Sequence, residues 1–128
     1  MSKDNLPAHF ASMQGRFPKV MKALGKAGKA VRQQGPLESK TAHLIQLAAA
    51  AAIQSEGAVH SHAQQATAAG ATPEEIYHAV LLLVSTIGFP RVAAAVSWVD
   101  DLLQSQRKGA RRGQPNASRT LKPQQKRK

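Results

Sequence analysis

Three helix-breaking clusters divide the middle of this chain: Gly35-Pro36, Gly70-Ala71-Thr72-Pro73 and Gly88-Phe89-Pro90. Glycine accepts the left-handed backbone that ends a helix, and proline lacks the amide hydrogen needed to continue one. The stretches between the breaks are rich in alanine, and no segment alternates Val, Ile or Tyr with polar residues as a strand requires. The expected fold is therefore all-α, a bundle of about six helices. At 128 residues it has room for a single core.

The apolar spacing places the helices. The first covers Pro7 to about Gln14. The second runs from Phe17 to Gln34, with Phe17, Val20, Met21, Leu24, Ala27 and Val31 at three- and four-residue steps. Its opposite side, Lys19, Lys22, Lys26, Lys29 and Arg32, reads as a solvated cationic face. The third, from Ser39 as N-cap to Gln54, is apolar nearly all round and is expected to be the buried central helix. The fourth spans Ala58 to Ala69 and closes on Gly70. Thr72-Pro73-Glu74-Glu75 is a capping box, with Thr72 as N-cap, Pro73 at the first helical position and Glu75 at the third. It opens a fifth helix, whose face of Ile76, Ala79, Val80, Leu83, Val84 and Ile87 is widened by Leu81 and Leu82. A sixth helix runs from Pro90 to about Gln106. The surplus of apolar helix surface points to contacts between subunits.

Charge divides the chain in two. Residues 107–128 hold nine of the 18 Lys and Arg and no acid, whereas residues 1–106 carry nine basic against seven acidic groups. A helical domain over 1–106 is thus expected to be followed by a disordered basic tail over 107–128, in which Leu121 is the only large apolar residue. That tail reads either as a weak polyanion contact or as a solubilising extension. It has no aromatic residue for base stacking. No run reaches the roughly 20 apolar residues of a membrane span, and the N-terminus lacks the apolar core of a secretory leader, so the cytoplasm is the expected compartment. The chain has no cysteine, which excludes disulfides, thiolate catalysis and Cys-bound zinc.

These residues resemble the carboxymuconolactone decarboxylase family, which includes the alkyl hydroperoxidase D-like (AhpD-like) proteins. The resemblance covers roughly residues 35–103. It rests on Pro36-Leu37 before the third helix, His62 eight residues before Gly70, Ala71-Thr72-Pro73-Glu74-Glu75-Ile76, and Gly88-Phe89-Pro90. It implies an all-helical homo-oligomer, a homotrimer or homohexamer, with sites near subunit contacts. The AhpD-like branch uses a Cys-x-x-Cys pair, a histidine and an upstream glutamate; the matching positions here are Ser55, Ala58, His62 and His43. A serine hydroxyl cannot cycle through sulfenic acid and disulfide, so thiol peroxidase chemistry is excluded. The decarboxylase branch needs no thiol and has acidic residues shortly before its histidine, where this chain has Glu56. The chain departs from that branch at Leu82, where a second histidine is common, and at Thr86, where a tyrosine is.

The candidate site is then His62 and Glu56 as catalytic residues, with Ser55 and His43 as binding residues. If the fourth helix extends back to Ser55, positions 55, 58 and 62 share one stripe. An imidazole with an ordinary pKa near ~6.5 suits proton donation to the carbanion or enolate left as carbon dioxide departs. Glu56 would orient it or act as a base. No cofactor or metal is called for: His60 and His62 are two residues apart on a helix and point in different directions. Two readings stay open. One is a cofactor-free lyase acting on a small carboxylate or lactone. The other is a catalytically silent helical scaffold or binding module whose basic tail touches a polyanion.

Overall fold

The computed structural model describes residues 8–113, and every regular element among them is helical: α1 (Ala8–Arg16), α2 (Pro18–Gln33), α3 (Ser39–Ala52), α4 (Glu56–Ala68), α5 (Pro73–Leu81), α6 (Val84–Ile87) and α7 (Phe89–Gly113). The core is shared by α3, α4, α5 and α7. Leu47 from α3, Val59 from α4, Ile76 and Val80 from α5, and Val92 and Val99 from α7 are its largest fully buried side chains. Each contributes about 1.5–3 kcal/mol through removal from water. Ala50, Ala51, Ala63, Ala66 and Ala95 fill the positions between them, and their small side chains let α3 and α4 pack closely.

Helix ends follow the chain's turn chemistry. Gly70 takes φ 101°, with its N–H bonded to the Thr67 carbonyl and the Ala71 N–H bonded to the Ala66 carbonyl, a Schellman closure of α4. The same closure ends α3, with Gln54 in glycine's place at φ 57°. A non-glycine residue in that region needs support. It comes from the Gln54 amide, which donates to the Ala51 carbonyl at 2.6 Å and to the Arg91 carbonyl of α7 at 3.1 Å. The capping box at the start of α5 forms with both of its hydrogen bonds, and Glu75 also pairs with Lys40 of α3 at 3.0 Å. The Tyr77 hydroxyl donates to the Asp100 carboxylate, tying α5 to α7.

Several expected boundaries move. Ser39 is the first residue of α3 rather than its cap; Glu38 is the cap, and it accepts from the Thr41 hydroxyl. The fourth helix begins at Glu56, with Ser55 as its N-cap, instead of at Ala58. The fifth helix is divided: the Leu83 N–H bonds the carbonyl three residues back, tightening the turn so that α5 stops at Leu81 and a one-turn α6 follows. The last helix runs through the expected start of the tail to Gly113. Arg107, Lys108, Ala110, Arg111 and Arg112 are good helix formers, and their positive charges suit a helix C-terminus. The rest of the expected tail, 114–128, lies outside the described residues.

The second helix departs most from expectation. No residue of α2 is buried, and α2 packs mainly against α1. Its apolar stripe is therefore left open, with Val20 58 %, Leu24 60 % and Val31 65 % exposed. The central helix is also less enclosed than its composition suggests, since Ile45 stands out from the side facing the α2–α3 link. No helix among the described residues is long and apolar enough to cross a membrane.

Candidate functional site

The packing of α3 on α4 brings His43 and His62 together. Their ring centroids are 6.0 Å apart, with the planes inclined at 38°. His43 lies in the first turns of α3 and is 5 % exposed; His62 is half-buried on α4. The Nδ1 atoms of both rings are shielded from solvent and have no hydrogen-bond partner among the described residues. A buried polar atom without a partner is costly in a stable fold, and such atoms concentrate where a ligand or ordered water completes the site.

The third participant is Arg32, near the C-terminus of α2. Burial pushes the His43 imidazole down from its ordinary 6.5 to about 4, with the Arg32 charge and then His62 adding to the effect. Burial and then Arg32 also lower His62. Both rings are consequently neutral at neutral pH. Arg32 itself is half-buried and has no carboxylate within ion-pair distance among the described residues. Its guanidinium lies back along its own helix: a Cβ placed on Gly28 would stand 3.2 Å from Nη1. A side chain larger than hydrogen at position 28 would crowd that placement.

Arg32 also borders a groove of about 320 Å³ between the end of α2, the Gly35-Pro36-Leu37 link and α3. Val31, Pro36, Leu37, Ala42 and Ile45 give it apolar walls, and Gln46 adds a polar group whose shielded Oε1 has no partner. Gln46 lies one turn beyond His43 on α3. Arg32 and Gln46 thus give the apolar groove a cation and an amide, a pair suited to an anion with a hydrocarbon body.

The residues expected from the sequence divide into two groups. His43 and His62 meet. Ser55 and Glu56 do not join them through any hydrogen bond among the described residues. Ser55 is the N-cap of α4 and is engaged through its backbone, the N–H to the Ala50 carbonyl and the carbonyl to the Val59 N–H. Glu56 is exposed in the first turn. Six residues separate it from His62, which on a helix means about 9 Å of rise and about 120° of rotation between them. His60 is half-buried on α4 with an unpaired Nε2. No three potential metal ligands gather among the described residues.

Arg32 is the member that sequence reasoning missed, because it continues the spacing of Lys19, Lys22, Lys26 and Lys29. Two signals distinguish it. It is the one arginine in that series, and Gly28 precedes it by one turn.

The model of the carboxymuconolactone decarboxylase family matches residues 18–101, a span that takes in α2, His43, His62 and the first half of α7. The chain belongs to this family. A solved relative agrees: the apo crystal structure of a carboxymuconolactone decarboxylase family protein from Legionella pneumophila superimposes with a TM-score of 0.62 at 26% identity, covering 75% of this chain and 86% of that one. No significant match to a curated protein was found. The family's helical fold is thus the one the glycine and proline breaks called for. The match also begins upstream of the Pro36-Leu37 motif, so α2 and Arg32 fall within the family domain.

Proposed function

We propose that this carboxymuconolactone decarboxylase-like protein is a cofactor-free lyase that removes carbon dioxide from a small carboxylate or lactone acid, with His62 handling the proton. The observation that carries this reading is the pair of buried, unpartnered Nδ1 atoms of His43 and His62 beside the cationic Arg32.

In the step itself the bond between the substrate carbon and its carboxylate breaks, and carbon dioxide leaves without the bonding electrons. That electron pair is held as an enolate by the neighbouring carbonyl until protonated His62 delivers its proton to carbon. Neutral His62 then recovers a proton from solvent. One proton is consumed for each carbon dioxide released, so the charges balance. The apolar groove walls favour the charge-dispersed transition state over the localised carboxylate. Because His62 rests neutral, its role as donor requires protonation after substrate arrives, when a bound anion offsets Arg32.

Replacing His62 with Gln tests this. Carbon dioxide release from a substrate turned over by the wild type should fall at least 100-fold, the range for loss of a general acid. Undiminished release would remove His62 from the chemistry.

The open face of α2 supports self-association, and we assign it to subunit contacts in a homotrimer or homohexamer. Phe17, Val20 and Leu24 form an exposed stripe that a second copy would cover. A second reading, a binding module for a polyanion, is favoured by the exposed Arg107, Lys108, Arg111 and Arg112 at the end of α7. Binding to RNA or DNA that falls steeply with salt and vanishes on removal of 107–128 would support it.

A further inference from the structure

We propose that Arg32 is the residue that captures the substrate's carboxylate, and that its neutralisation by that carboxylate is what readies the neighbouring histidines to carry a proton. The inference rests on the reading of a carboxylate substrate and adds to it a binding residue and the order of events.

Geometry supplies the case. Arg32 is a half-buried cation with no ion-pair partner among the described residues, an arrangement that leaves its charge uncompensated. The lysines that share its helix are exposed; Arg32 is half-buried, and the bare Gly28 one turn back leaves space for its Nη1. From there it lines the apolar groove, and its charge acts on both histidines. Guanidinium presents a planar fork matched to a carboxylate, and Gln46, with its unpaired amide oxygen on the groove wall, has an amide N–H₂ to offer the same anion. His43, 95 % removed from solvent, has an Nδ1 without a partner among the described residues, a second and independent feature of the cluster.

The electrostatic consequence follows from the groups facing His62. From α3 that group is His43, and the charge of Arg32 reaches it from α2; Glu75 and Asp100 are engaged with Lys40 and Tyr77, Glu56 is exposed, and Glu74 and His78 of α5 and Arg91 and Asp101 of α7 are not among the causes that lower it. Arg32 is thus the one charge depressing His62, and a carboxylate seated on it removes that effect. Protonation of His62 is then coupled to occupancy: the acid forms when an anion is bound. A carboxylate held by a guanidinium is stabilised against loss, so the substrate carries two carboxylates: Arg32 holds the one that the reaction leaves in place, and the other departs as carbon dioxide.

Benzoate tests the proposal, since it joins a carboxylate to an apolar ring; benzamide, of the same shape without charge, is the control. The full chain is titrated with each while histidine ring resonances are followed by NMR across pH. Benzoate should bind and raise the His62 pKa, and benzamide should leave it unchanged. Arg32→Gln should weaken benzoate binding at least 10-fold and raise the His62 pKa in the absence of ligand. Arg32→Lys should retain part of the binding. An unchanged melting curve would confirm that the variants are folded. Equal benzoate affinity in the wild type and Arg32→Gln would overturn the proposal, as would no benzoate binding at all or binding that leaves His62 unmoved. The outcomes separate from those of the lyase reading. Arg32-dependent binding with full turnover in His62→Gln would sink the lyase mechanism and leave the anchor standing.

Discussion

His43 and His62 face each other across the α3–α4 contact with ring centroids 6.0 Å apart, and neither Nδ1 has a partner among the described residues. Two basic rings placed this close in a shielded space resist sharing a second proton, and a nearby guanidinium adds to that resistance. The pair is therefore held neutral until something negative arrives.

That neutrality appears in the stability of the fold. The unfolded chain takes up a proton on residue 43 near the ordinary 6.5, whereas the native imidazole does so only at about 4. Protons then bind the unfolded state first, so stability present above pH ~6.5 is lost as pH falls toward ~4. His62, also lowered, acts in the same direction. Glu75, whose pKa is lowered by its bonds to Thr72 and Lys40, adds a further loss only below its ordinary 4.5. The urea midpoint should decline between pH 6.5 and 4, and His43→Gln should flatten that decline.

Gly28→Ala separates helix stability from site electrostatics. Alanine at a helical glycine gains about 0.5–1 kcal/mol in an exposed interior. The new methyl would stand 3.2 Å from the Arg32 Nη1, which lies at the end of a flexible side chain and can move aside. Thermal melts should show equal or greater stability, while NMR titration shows the His43 and His62 pKa values rising only slightly, with burial still holding both below 6.5.

Thr72→Ala removes the N-cap of α5 and leaves the Glu75 N–H without its side-chain acceptor. The cost should be about 1 kcal/mol. Amide exchange would locate the loss in α5, with the histidine pair undisturbed.

Leu24→Lys probes the uncovered face of α2. Leu24 is exposed in the single chain, so the substitution should leave helicity intact. Sedimentation should show a smaller assembly than that of the wild type; an unchanged oligomer would move the subunit contact elsewhere.

Much of this architecture could be read from the residues, because local rules decide it. Gly70, the Thr72 box and Gly88-Phe89-Pro90 act within one or two turns, and each ends or starts a helix where its chemistry requires. The division of α5 from α6 could not be read, since Leu81, Leu82 and Leu83 continue an apolar pattern while the backbone tightens. The extension of α7 to Gly113 was hidden by composition: basic residues that would solvate a tail also suit a helix end. At the site, His62 and His43 stand out as histidines on alanine-rich helices. Arg32 did not, because its partial burial depends on where α2 lies relative to α3, a relation that helical spacing does not encode. Glu56 enters through the family resemblance, and helix geometry turns it about 120° away from His62.

The central claim is that His62 is held neutral in a shielded cluster under the charge of Arg32. Titration of the ring resonances of the ligand-free protein measures this directly. The account predicts a His62 midpoint below 6.5 and a His43 midpoint near 4, with the His62 midpoint rising in Arg32→Gln. Midpoints at or above 6.5 for both rings, unaffected by the loss of Arg32, would contradict it.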